Sequence, residues 1–185
     1  MKKFAIAACL ALAAVSANAG TELVANGSFE TGDLTGWDLT GFPGFSLVER
    51  DNSTSNTSYA WLAGAVGSYG FLSQNIQTVA GRTYTLSFDV YNDITDGMQF
   101  TSQFNGAEVY SFSNEARNWD HIVISNLQAT GNLTEIKFGF RNDPAFSRLD
   151  NISVQAMPVP EPETYAMLIA GLGMLAWLGK RRKTA

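Results

Sequence analysis

Thr83-Tyr-Thr-Leu-Ser-Phe-Asp-Val-Tyr91 decides the fold. Its side chains alternate, so Tyr84, Leu86, Phe88 and Val90 share one face of an extended strand while Thr83, Thr85, Ser87 and Asp89 share the other. One face is built for a core and the other for water, the pattern of an antiparallel sheet with one solvated side. Gly81-Arg82 precedes the stretch as a turn. Working outward, Met98 to Phe104 and Ala107 to Phe112 flank Asn105-Gly106, the preferred two-residue type I′ hairpin turn. Further strands are predicted at Gly70–Val79, Trp119–Leu127, Glu135–Phe140 and Arg148–Gln155. No long helical period interrupts them. About eight strands at this spacing predict an all-β, two-sheet antiparallel jelly-roll sandwich. Asp51 to Ser58 is a polar, low-complexity loop, and no internal repeat is present.

The ends of the chain read differently from its middle. Lys2-Lys3, the apolar run Phe4 to Val15 and Ala17-Asn18-Ala19 have the three-part form of a signal peptide over residues 1–19, with Gly20 as the mature start. Ile6-Ala-Ala-Cys9 lies too early in the apolar run for a lipoprotein box. Cys9 is the single cysteine, so the mature chain has no disulfide, thiolate nucleophile or cysteine-ligated metal. At the other end, a Pro-rich linker over 158–163 leads to an apolar segment over 164–179 and a basic tail over 180–185. Fifteen apolar or small residues make a helix of about 22 Å, short of a bilayer core of roughly 30 Å. Lys180-Arg-Arg-Lys183 extends the reach by snorkelling, however, and its four charges stop transfer on the cytoplasmic side. A transmembrane helix is therefore predicted over 164–179.

Residues 20–157 make one domain, large enough to bury a core. Removing Lys2, Lys3 and the four tail cations from the 12 basic residues leaves 6. Removing Glu161 and Glu163 from the 17 acidic ones leaves 15, a balance near −9. Nucleic acid is a poor partner for such a surface; neutral glycans and divalent cations suit it better.

Val159-Pro-Glu-Pro162, the apolar segment and Arg181-Arg182 together resemble the PEP-CTERM sorting tail of Gram-negative bacteria. The sorting signal would comprise Pro160, Glu161, Pro162, Arg181 and Arg182. The resemblance implies passage through signal peptidase and the secretion machinery and transient anchoring in the inner membrane. It further implies processing by an exosortase near Pro-Glu-Pro, then release to the cell surface or beyond, in association with exopolysaccharide and biofilm. A second resemblance rests on three motifs: Leu23-Val-Ala-Asn-Gly-Ser-Phe-Glu-Thr-Gly with Gly36-Trp37, Leu72-Ser-Gln-Asn-Ile with Ala80 to Val90, and Phe146-Ser-Arg-Leu-Asp-Asn-Ile-Ser-Val154. These are similar to the galactose-binding-like jelly rolls of carbohydrate-binding modules. In such modules a structural cation often sits where the first and last strands meet. That implies a calcium site at Glu30 and Asp150 with backbone carbonyls near Asn26. The alternative for these two carboxylates is local capping: Glu30 of a turn, Asp150 of backbone amides. Asp89, Asp93 and Asp96 lack the EF-hand spacing and read as a solvated turn.

Catalytic patterns are missing from the sequence. The single His121 stands in Trp119-Asp-His-Ile-Val-Ile124 on a strand face, and neither a Gly-x-Ser-x-Gly elbow nor a His-Glu-x-x-His helix occurs. No pair of carboxylates is positioned for glycoside hydrolysis. Aromatics are the better pointer, because ring faces stack on sugars. Trp37, Phe42, Phe45, Tyr59, Trp61, Tyr69, Phe71, Trp119 and Phe146 crowd loops and strand ends. Trp37 and Phe88 read as core. Tyr59 and Trp61, beside the polar loop, are the candidate sugar-stacking pair, with burial as the alternative. The expectation is an exported, non-enzymatic surface or matrix protein with a possible glycan-binding face. Competing readings are a ligand-free scaffold, an ice-binding protein (Thr83-Tyr-Thr85 is a single Thr-x-Thr) and a hydrolase.

Overall fold

The computed structural model describes residues 20–41, 45–50, 58–143, 145–158 and 169–174. The signal peptide, Phe42, residues 51–57 of the polar loop, Pro160, Glu161, Pro162, Arg181 and Arg182 lie outside them. Ten strands occur among the described residues: β1 (Asp38–Gly41), β2 (Ser46–Arg50), β3 (Tyr59–Ala63), β4 (Gly70–Gln77), β5 (Thr83–Asn92), β6 (Met98–Phe104), β7 (Ala107–Ser113), β8 (Arg117–Gln128), β9 (Leu133–Asn142) and β10 (Ser147–Ala156). They form two antiparallel five-stranded sheets, β1-β4-β9-β6-β7 and β2-β3-β10-β5-β8, in a jelly-roll sandwich. Seven strands stand where the sequence predicts them. The three additions are short: β1 and β2 are broken by Gly and polar residues, and β3 is a five-residue apolar run in which alternation does not show.

The alternation of β5 does what it predicts: Tyr84, Leu86, Phe88 and Val90 are at most 2% exposed, and the intervening residues are not buried. They meet Phe100, Ile136, Phe138 and Phe140 of the facing sheet. Phe88 and Phe138 pack edge to face at 5.3 Å. Asn105 and Gly106 both take positive φ, 53° and 77°, as a type I′ turn demands, and Phe104 pairs with Ala107 across it.

The opening and closing motifs seam the sandwich. Leu23 N donates to the Val154 carbonyl, and Ile152 N donates to the Gly27 carbonyl. A Cβ on Gly27 would lie 2.0 Å from the Ile152 oxygen, so only glycine allows this crossing. Glu22 fastens the same edge, its carboxylate accepting from the amides of Leu23, Val24 and Val154 and from Ser153 Oγ. Phe29 is buried at φ 54°, a strained setting for an aromatic, held by packing on Trp37 at 5.9 Å. Trp37 is core, as expected, and its Nε1 donates to the Asn26 carbonyl.

In the tail, residues 169–174 are helical and Ile169, Leu172 and Met174 are exposed. No helix among the described residues is long and apolar enough to cross a membrane.

Candidate functional site

Two predicted sites can be placed. Of the candidate stacking pair, Trp61 is a correction. It is fully buried, packs edge to face on Phe140 at 5.6 Å, and donates from Nε1 to Ser46 Oγ at 2.6 Å. Position 61 pairs with Leu149 on one side and Val48 on the other, and its side chain points into the sandwich with Leu149. It cannot reach an external ligand. Tyr59 is half-buried with the Arg50 guanidinium 5.2 Å above its ring, so a cation already covers one face.

Glu30 and Asp150 do approach each other at the seam. Glu30 Oε1 accepts from Tyr59 N at 2.9 Å. Asp150, only 3% exposed, accepts from Asn151 N at 2.7 Å and Ser58 Oγ at 3.1 Å. Burial, reinforced by the charges of Asp89 and Glu30, pushes its carboxyl up to about 7, although both hydrogen bonds pull the other way. Nothing cationic bonds it among the described residues, and there no group of three or more His, Cys, Asp or Glu is placed to hold a metal. Asp89 instead receives His121 Nδ1 at 2.5 Å and Asn151 Nδ2 at 2.8 Å. His121 is thus an exposed strand residue paired with a carboxylate. Asp93 to Gly97 forms a turn rimming an open hollow with Asp143.

The more developed surface lies on the outer face of the β1-β4-β9-β6-β7 sheet, and the sequence reading did not assemble it. Register sets one row straight across the strands: Thr40, Phe71, Gly139, Thr101 and Ser111. Phe71, which is half-buried, lies low on the sheet between two glycines. A Cβ on Gly139 would come within 2.7 and 2.9 Å of the Phe71 ring and 2.8 Å of Thr101 Cγ2, and one on Gly41 within 3.1 Å of the ring. Tyr69 stacks alongside Phe71, centroids 5.5 Å apart and planes 20° from parallel. The two rings make an aromatic shelf on the outer face, stacked on each other and both only half-buried.

Hydrogen-bonding groups border the shelf. Glu108 is turned onto this face by the bulge between Ser102 and Gln103. Its two carboxylate oxygens accept from Thr101 Oγ1 at 2.8 Å and Ser111 Oγ at 2.9 Å. Those bonds, Thr101 first, hold the carboxyl below the usual range despite some burial. Arg141 grips Asp143 through Nε at 2.8 Å and a terminal nitrogen at 2.7 Å, and Lys137 meets Glu135 at 2.8 Å. The Tyr69 hydroxyl feels both sides: burial and the Glu108 charge raise its pKa, and Arg141 opposes them. An aromatic pair rimmed by fixed acceptors and donors can stack on one face of a hydroxyl-rich ring and bond its edges. A glycine flanked by Phe138 and Phe140 in β9 was the available signal, since strand glycines mark close approaches.

Residues 158–183 match the PEP-CTERM protein-sorting motif, and residues 21–155 match the family model described as carbohydrate binding domain. No curated protein matches the sequence. Among solved structures, TmCBM61 in complex with β-1,4-galactotriose aligns at TM-score 0.61 and 18% identity, over 74% of this chain and 99% of that one. The CBM22-1 xylan-binding domain of Paenibacillus barcinonensis Xyn10C aligns at 0.51 and 16%, over 78% and 99%. The K1 cleaved adhesin domain of Lys-gingipain from Porphyromonas gingivalis W83 aligns at 0.53 and 13%, over 75% and 100%. At such identities the likeness is one of fold. The family match covers most of the chain: this protein belongs to the carbohydrate binding domain family and carries a PEP-CTERM sorting motif at its C-terminal end.

Proposed function

We propose that the chain is an exported protein, sorted by an exosortase, which holds a neutral glycan on the outer face of the β1-β4-β9-β6-β7 sheet without transforming it. The observation that carries this reading is the Tyr69–Phe71 shelf with Glu108 and Arg141 at its rim. The cations there are already matched, Lys137 by Glu135 and Arg141 by Asp143, whereas among the described residues the Glu108 carboxylate accepts from the hydroxyls of Thr101 and Ser111. The acidic balance of the domain points the same way, toward uncharged chains rather than uronates. Family membership, and the β-1,4-galactotriose and xylan named for the neighbouring modules, lend it support.

At the seam, Glu30 and Asp150 are the residues that would hold a structural divalent cation, calcium by the oxygen donors. The hard oxygens of these two carboxylates, one of them buried, suit that role together with backbone carbonyls. Bound there, such an ion would offset the buried Asp150 charge and tie the opening loop to β10. Ahead of tail cleavage the apolar segment anchors the protein in the inner membrane; afterwards it is free to join surface exopolysaccharide or biofilm.

Affinity electrophoresis of the mature protein, purified in detergent, in gels cast with β-1,4-galactan or xylan tests the glycan surface. Wild type should be retarded, and Phe71→Ala should lose about tenfold in affinity, the worth of one stacking contact, with little change in melting. Absence of retardation in either gel, with no binding on a wider glycan array, would leave the ligand-free scaffold as the better reading.

A further inference from the structure

Phe71 can serve as a floor only if its ring lies down, and its neighbours decide whether it does. On β9 the residue directly across is Gly139, which is buried beneath the ring. Any side chain at 139 would point out of the same face, and even a methyl would sit 2.7 Å from one ring carbon, a distance real Cβ atoms do not adopt. Thr101 blocks retreat on the far side at 2.8 Å. The ring would have to lift off the sheet and break its near-parallel alignment with Tyr69. The seat of the Phe71 ring thus depends on the absence of a side chain at 139.

We infer that Gly139 is the positioning residue of the glycan surface, setting the height and tilt at which Phe71 stacks beside Tyr69. The inference rests on the glycan-binding reading of that face. The competing account is purely structural: aromatic side chains laid over strand glycines stabilise sheets by covering them. The two accounts differ in what Gly139→Ala does. As a positioning change it weakens retention on β-1,4-galactan or xylan about tenfold, as losing one stacked ring would, while the sandwich stays folded. It also acts only through Phe71, so Gly139→Ala adds nothing in a Phe71→Ala background.

Gel retardation of wild type, both single variants and the double variant supplies the cycle, and a crystal structure of Gly139→Ala shows where the ring has gone. Non-additive losses with a displaced Phe71 ring are the expected result. Independent, multiplying losses, wild-type retention by Gly139→Ala, or a ring that stays in place while Thr101 moves would each overturn the inference. So would a Gly139→Ala protein that unfolds and is rescued by Phe71→Ala, since the contact would then be one of packing. If wild type is retained by neither glycan the functional reading fails on its own, and the ring position in the variant crystal still decides whether Gly139 sets the shelf.

Discussion

Substituting Asp150 by asparagine should remove a pH dependence of stability that the wild-type domain shows once divalent cations are chelated. The carboxyl is raised from 3.8 to about 7 in the folded protein, chiefly by burial and then by the fields of Asp89 and Glu30. The folded state therefore binds this proton more tightly than the unfolded state does. The stabilisation is fully present below pH 3.8 and is lost progressively as pH rises through about 7. The shift is roughly three pKa units at about 1.4 kcal/mol each, so about 4 kcal/mol should disappear between pH 4 and pH 8. Glu108 and Asp143, held low by their hydrogen bonds, contribute in the opposite direction, losing stability as pH falls. Their contribution is common to both proteins and cancels in the difference. Urea unfolding in EDTA across that window gives the comparison: wild type minus Asp150→Asn should fall steadily toward high pH. Calcium added at pH 8 should then restore wild type by mass action and leave the variant where it was. A difference that is flat, or that rises with pH, would refute the burial argument. An equal calcium response in both proteins would refute the cation site.

Trp61→Ala should cost about 3–5 kcal/mol in chemical denaturation, because it empties a fully buried indole and strands Ser46 Oγ; a cost below about 1 kcal/mol would mean the ring is not core. Replacing Pro160-Glu161-Pro162 by alanines should leave the protein in the membrane at its unprocessed mass, whereas intact residues 158–185 on surface-exposed wild-type protein would rule out exosortase processing.

What the sequence disclosed and what it hid divide along the range of the interaction. The β5 strand and the Asn105-Gly106 hairpin are decided by neighbours along the chain, through alternation and through two positive φ angles, and both are read directly from the residues. The seam between the Asn26-Gly27 and Asp150-Asn151 motifs was legible only through resemblance to a family, and the glycine in it turns out to be compulsory for a 2.0 Å reason. Trp61 was misplaced because it follows a polar loop, a weak cue. The stronger one was Tyr-Ala-Trp-Leu-Ala itself, a short continuous apolar run of the kind that fills a strand covered on both faces. The shelf was hidden for a different reason. Tyr69, Phe71, Thr101, Glu108 and Gly139 come from four strands and the approach to β4, and they meet only because β4, β9, β6 and β7 pair in one register. A slip of one residue in β9 would set Phe138 or Phe140 on the outer face in place of Gly139 and destroy both core and floor at once. The binding face is therefore specified by the same alternation that specifies the core. Each apolar residue fixed inside by Phe138, Phe140 and Ile136 fixes an outward neighbour too, and so places Gly139 beneath Phe71.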